Sequence, residues 1–96
     1  KDLVKAFEWY SKAAEQGNAD AQSSLGSCFF NGQGVKKDLV KAVEWCSKAA
    51  EQGHADAQFN LGALYENGEG VKQDYVKAVE LYSKAAEQGH AEAQFN

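Results

Sequence analysis

What most constrains this chain is that it repeats itself. Ala42–Gly53 reads AVEWCSKAAEQG, while Ala6–Gly17 reads AFEWYSKAAEQG and Ala78–Gly89 reads AVELYSKAAEQG, a spacing of 36 residues in both directions. Residues 1–36 agree with 37–72 at 26 of 36 positions, and 37–60 agree with 73–96 at 19 of 24. A fixed period of this length marks a stacked array, in which each unit buries its apolar face on its neighbours. The 96 residues therefore form one array of about two and two-thirds units. Because the pattern is already running at Lys1 and breaks off at Asn96, where Leu-Gly is due, an excerpt of a longer array is expected.

Within each unit the apolar residues fall at helical spacing. Helices are expected near 2–16, 19–31, 38–52, 55–67, 74–88 and 91–96. Those at 2–16, 38–52 and 74–88 are copies of one helix, B, and the others are copies of a second, A. Asp2 is placed to cap the first B helix through its carboxylate, and Gly17 to end it in the left-handed conformation. Glu8 and Lys12, Glu44 and Lys48, and Glu80 and Lys84 stand four apart in the favourable order on the solvated face. Helix A carries Gln22, Leu25, Gly26 and Phe29 on its core stripe, and then Gln58, Leu61, Gly62 and Tyr65. A mid-helix glycine costs about 1 kcal/mol relative to alanine. Its return at Gly26 and Gly62 predicts a close crossing by helix B, with Trp45 or Cys46 over Gly26. Asn31-Gly32 and Asn67-Gly68 end helix A, both residue types tolerating positive φ. The short links Gly32–Val35 and Gly68–Val71 make A and the following B an antiparallel αα-hairpin.

Composition excludes two classes of partner. The net charge is −4, and Lys alternates with Glu without a basic block, which argues against nucleic acid. No run approaches the ~18 apolar residues of a membrane helix, so no membrane insertion is expected. Cys28 matches Leu64 and Cys46 matches Tyr10 and Tyr82, so each replaces a core residue. Their spacing is not that of a metal or redox motif; buried free thiols and a disulfide across the hairpin both remain open.

The pattern A-x-A-Q-x-x-L-G-x-x-Y-x-x-G-x-G-V-x-x-D-x-x-K-A-x-x-x-Y-x-K-A-A-x-x-G, read from Ala55 to Gly89, closely resembles the Sel-1-like repeat, a relative of the tetratricopeptide repeat. The resemblance covers essentially the whole chain. It implies an all-α solenoid of stacked antiparallel hairpins in a right-handed superhelix, with helix A lining the concave side. It also implies an adaptor or scaffold in protein complexes, without enzymatic activity or cofactor. The chain departs from the pattern where Cys46 replaces the helix B aromatic and Leu81 replaces Trp. In addition, Phe29 and Phe30 stand where the next unit has Tyr65 and Glu66. Phe30 thus puts a large apolar ring on a position expected to face outward.

If helix A lines a groove, the positions one face away from its core stripe point into it. These are Asp20, Ser23, Ser27 and Phe30 in one unit and Asp56, Phe59, Ala63 and Glu66 in the next, flanked by Asn60 and Asn67. Phe59 and Phe95 fall on this face, where they either anchor a ligand or pack across neighbouring hairpins. A protein or peptide is the partner such a face would take. End-to-end association of copies through uncovered helix faces is the alternative. Catalytic and metal readings find no support. His54 and His90 lie one repeat apart without converging ligands. Nothing separates Asp56 or Glu66 from a face full of carboxylates. Ser11, Ser47 and Ser83 recur without a base at an obvious spacing. The G-x-G-V loops join helix to helix and lack the Lys-Ser/Thr of a phosphate loop.

Overall fold

A computed structural model describes residues 2–88, and the helix expected near 91–96 lies outside them. Among the described residues there are five α-helices and no strands. They are α1 (Leu3–Glu15), α2 (Ala19–Asn31), α3 (Leu39–Glu51), α4 (Ala55–Asn67) and α5 (Tyr75–Glu87). Asp2, Asp38 and Asp74 stand just before α1, α3 and α5, and each carboxylate accepts the N–H three residues on at 3.1 Å. Asn18 caps α2 in the same way at 2.8 Å, and His54 Nδ1 caps α4 at 3.2 Å. Each cap satisfies a donor that the helix itself cannot, worth typically about 1 kcal/mol.

Two details differ from the sequence reading. Positive φ at the ends of α2 and α4 is carried by Gly32 and Gly68 alone; Asn31 and Asn67 remain right-handed. The Glu–Lys pairs expected along the B helices do not close among the described residues. Lys48 instead lies 5.8 Å from the centre of the Trp45 ring. An exposed i,i+4 ion pair is worth only a few tenths of a kcal/mol, so an aromatic face competes easily for the same ammonium.

Helices pack on their chain neighbours, most extensively α2 on α3 and α4 on α5. The core is a translation of one motif. The first cluster gathers Ala14, Ala21, Leu25, Phe29 and Ala42, with Phe7, Tyr10, Ala13 and Trp45 against it. The second gathers Cys46, Ala49, Ala50, Ala57, Leu61 and Leu64, with Val43, Tyr65 and Leu81 against it. Tyr10, Ala13, Ala14, Ala21, Leu25 and Trp45 shifted by 36 become Cys46, Ala49, Ala50, Ala57, Leu61 and Leu81. Alanine dominates because it lets helix backbones approach closely. The one ring that joins both clusters is Phe30.

Polar groups run through this core in the same register. Gln22, 5% exposed, donates Nε2–H to the Ala14 carbonyl at 3.1 Å, and its Oε1 accepts from Gln52 at 2.8 Å. One repeat on, Gln58 donates to Ala50 at 3.2 Å and accepts from Gln88 at 2.7 Å. Each buried amide is thereby satisfied from the preceding hairpin and from the end of its own, as burial of a polar group demands. The loops add a backbone contact. Gly34 and Gly70 sit at φ +74°, and a Cβ on either would collide with the carbonyl of Leu3 or Leu39, one repeat back.

Candidate functional site

The mid-helix glycines fix where the B helices cross the A helices. An ideal Cβ on Gly26 would lie 2.6 Å from Cys46 Sγ, so Cys46 rather than Trp45 makes the crossing. On Gly62 it would lie 2.9 Å from Tyr82 Cε1. Cys46 and Tyr82 are the same repeat position, and they solve it differently. The Tyr82 ring covers Gly62, packs 5.2 Å from Phe59 at a 49° tilt, and donates its hydroxyl to Glu66 Oε1 at 2.7 Å. Burial, then the Glu66 hydrogen bond and then the Glu66 charge push the phenol up to about 12. Cys46 covers Gly26 with one sulfur atom, and burial pushes its thiol up to about 11. Burial also raises Cys28; both cysteines are free and buried.

In front of Cys46 lies a cleft of about 310 Å³. The A helices form its sides, with Ser27, Phe30 and Asn31 from α2 and Asn60, Ala63, Leu64 and Asn67 from α4. Gly26 and Cys46 form its base, and Glu69, from the loop after α4, closes one end. At this position the repeat has a thiol where the next one has a phenol.

Five of the ten positions read from the sequence meet here: Ser27, Phe30, Asn60, Ala63 and Asn67. The rest are placed elsewhere. Ser23 is 7% exposed and belongs to the interior. Asp20 lies in the first turn of α2, where its exposed carboxylate accepts from His54 Nε2 at 2.7 Å. That bond gives His54 a partner across the repeat boundary that its sequence position did not suggest; His90 is outside the described residues. Asp56 occupies the matching first turn of α4. Phe59 is 45% exposed beside Tyr82, and Glu66 holds the Tyr82 hydroxyl. Phe30 does not simply face outward. It packs against both core clusters with Lys37 Nζ 5.9 Å from its ring centre, and presents its remaining surface to the cleft. The sequence reading missed Gly26, Asn31, Cys46, Leu64 and Glu69 as lining. The signal was present, since a small residue replacing a large one at a core position leaves space.

The Sel1 repeat matches the chain three times, over residues 1–18, 19–54 and 55–90. The chain belongs to the Sel1 repeat family. Sel1 repeat proteins of known structure superpose on it closely. One is c5321, described as a protective antigen present in uropathogenic Escherichia coli strains and displaying an SLR fold. It is 47% identical over 96% of this chain, with a TM-score of 0.92. A Sel1 repeat protein from Oxalobacter formigenes is 45% identical over 97%, also at 0.92. Helicobacter pylori cysteine rich protein B is 36% identical over 91%, at 0.85. The chain spans 20%, 38% and 65% of these three proteins respectively. As a Sel1 repeat array it is an α-solenoid of stacked helical hairpins, a family whose members generally serve as protein-interaction modules. Among the described residues no helix is long and apolar enough to cross a membrane.

Proposed function

We propose that the chain is a non-catalytic adaptor module that holds a protein or peptide partner along the face formed by α2 and α4. The observation that carries this reading is the cleft between those helices, walled by amides and an aromatic ring on rigid elements. Side chains fixed on helices present a partner with little conformational entropy left to lose, which favours binding by display rather than by closure. Asn60, Asn67 and Glu69 would hydrogen-bond a backbone or polar side chain, while Phe30 and the half-exposed Phe59 supply apolar contact. With a net charge of −4 the module favours neutral or basic partners.

The test is capture of a defined partner of the parent protein by this chain and by its Phe30→Ala, Phe59→Glu and Asn67→Ala variants. At least tenfold weaker capture by two of the three is expected; undiminished capture by all three removes the reading.

A further inference from the structure

We infer that the cleft over Cys46 receives one unphosphorylated tyrosine side chain from the protein partner, seated as the chain seats its own Tyr82 one repeat on. This rests on the adaptor reading and narrows it to one side chain. Translation by 36 residues maps Ser23, Gly26, Phe30 and Cys46 onto Phe59, Gly62, Glu66 and Tyr82. In the second set a phenol ring lies on the glycine, against an aromatic neighbour, with its hydroxyl bonded to a carboxylate. In the first set only the sulfur occupies the glycine, and about 310 Å³ stands open beyond it. That volume is at the small end of ligand sites, roughly 300–1,000 Å³, and suits one aromatic side chain rather than a folded element.

The lining chooses among aromatics. Phe30, Ala63, Leu64 and the thiol give the ring an apolar seat. The acceptor that Tyr82 uses is lost here, because Phe30 replaces Glu66. However, the Glu69 carboxylate and the amides of Asn60 and Asn67 line the same cleft and offer acceptors to a hydroxyl. Tyrosine therefore gains over phenylalanine by the hydrogen bond its hydroxyl makes to one of these partly exposed groups, a several-fold effect. No lysine lines the cleft, and a carboxylate does, in a chain of net charge −4. A phosphate on the phenol would set its charge against Glu69 in a lining that holds no ammonium of its own, Lys37 standing 5.9 Å from the Phe30 ring centre, so phosphorylation of the partner's tyrosine is disfavoured at the site.

The probes are p-cresol, toluene and p-cresyl phosphate, each titrated into the 96-residue chain and followed by amide chemical shifts. p-Cresol is expected to give saturable shifts at Ser27, Asn60, Ala63 and Asn67 below roughly 10 mM. Toluene should bind several-fold more weakly, and p-cresyl phosphate should not bind. The Phe30→Glu/Cys46→Tyr double variant supplies its own ring and acceptor and should weaken p-cresol at least tenfold; Ala63→Phe, which narrows the cleft from α4, should do the same. Absence of saturable shifts in the unmodified chain, equal shifts in both variants, or binding of the phosphate overturns the inference. Because these titrations need no partner, they fail separately from the adaptor reading. If p-cresol does not bind while Phe59→Glu still releases the protein partner, the tyrosine inference falls and the adaptor reading stands. If p-cresol binds as described while no variant of this face affects capture, the reverse holds.

Discussion

The crossing at Gly26 and the crossing at Gly62 share a backbone and a register, yet one is covered by a single sulfur and the other by a ring. At Gly62 the position is filled by a phenol, and a phenol carries an obligation: its hydroxyl must find an acceptor where it lies. Glu66 meets that need at 2.7 Å, and Phe59 completes the packing at 5.2 Å. At Gly26 all three residues differ together, to Cys46, Phe30 and Ser23. A thiol asks for no acceptor, so the glutamate position is free to become apolar, and Phe30 turns into both core clusters. The exchange is therefore a matched set rather than three independent changes. A polar pair has been replaced by an apolar pair of smaller combined reach, and the cleft lies beside the smaller member.

The comparison breaks first if the two repeats differ where they should not. Gly34 and Gly70 share φ +74° and the same collision of an added Cβ with a backbone carbonyl one repeat back. Backbone strain at such an angle costs roughly 1–3 kcal/mol and overpacking a similar amount. Gly34→Ala and Gly70→Ala should thus each lower the urea unfolding free energy by about 3 kcal/mol or more. Costs that differ widely would show that the hairpins are not stacked equivalently.

The crossing itself predicts a smaller and unequal effect. Gly62→Ala drives a Cβ onto a ring held by Phe59 and Glu66, while Gly26→Ala drives one onto a thiol with open space beside it. Both added Cβ atoms also meet a backbone carbonyl at 3.3 Å, of Ala42 or Ala78, so the difference rests on the sulfur turning toward the cleft while the ring is held by its partners. Set against about 1 kcal/mol gained in helix propensity, Gly62→Ala should still cost about 2 kcal/mol, and Gly26→Ala about 1 kcal/mol or less. Thermal or urea midpoints of the two variants decide it; equal losses would mean that the cleft gives the thiol no freedom.

The architecture was open to inspection in the sequence because repetition reports the same fact several times. The cap read at Asp2 recurs one and two repeats on at Asp38 and Asp74, whereas the caps at Asn18 and His54 came to light only in the structure. Each close crossing was marked by a glycine that a helix would otherwise avoid. The site was legible only in half. Helical periodicity tells which face a residue occupies, and that placed Ser27, Phe30, Asn60, Ala63 and Asn67 together. It does not tell depth, which is why Ser23 was read as groove-facing although it is buried. Nor does it convey consequences between helices: Cys46 was visible as a departure, but the space it leaves depends on α2 and α4 together. Long-range polar links such as His54 with Asp20 have no local signature at all.

Matched exchange should also be measurable as coupling. Cys46→Tyr alone finds Phe30 in place of the carboxylate that Tyr82 bonds and leaves its phenol to the cleft's Asn60, Asn67 and Glu69; Phe30→Glu alone sets a carboxylate beside a thiol and both core clusters. Together they recreate the Glu66–Tyr82 pair. The double variant should exceed the sum of the singles by about 1 kcal/mol, the usual net worth of such a bond. Additivity within error in the denaturation cycle would mean that the three-residue difference is drift rather than compensation.

Alkaline titration separates the two crossings by the smallest effect. Tyr82 is held protonated up to about 12 in the folded chain, whereas an unfolded tyrosine titrates near 10. Between those values the unfolded state binds fewer protons, so stability must fall as pH rises through that window. Below pH 10 the contribution is constant. Cys46 behaves with the same sign in a lower window, from an ordinary thiol near 8.5 up to about 11. Tyr82→Phe should therefore flatten the stability profile above pH 10 while leaving the decline between about 8.5 and 11 in place; Cys46→Ser should reduce that lower decline, to which the buried Cys28 thiol adds with the same sign, and leave the upper limb. Unfolding free energies measured by urea from pH 7 to 11.5 test both. If Tyr82→Phe leaves the steep upper limb intact, the phenol is not held as Glu66 and its burial require, and the contrast between the two crossings loses its chemical basis.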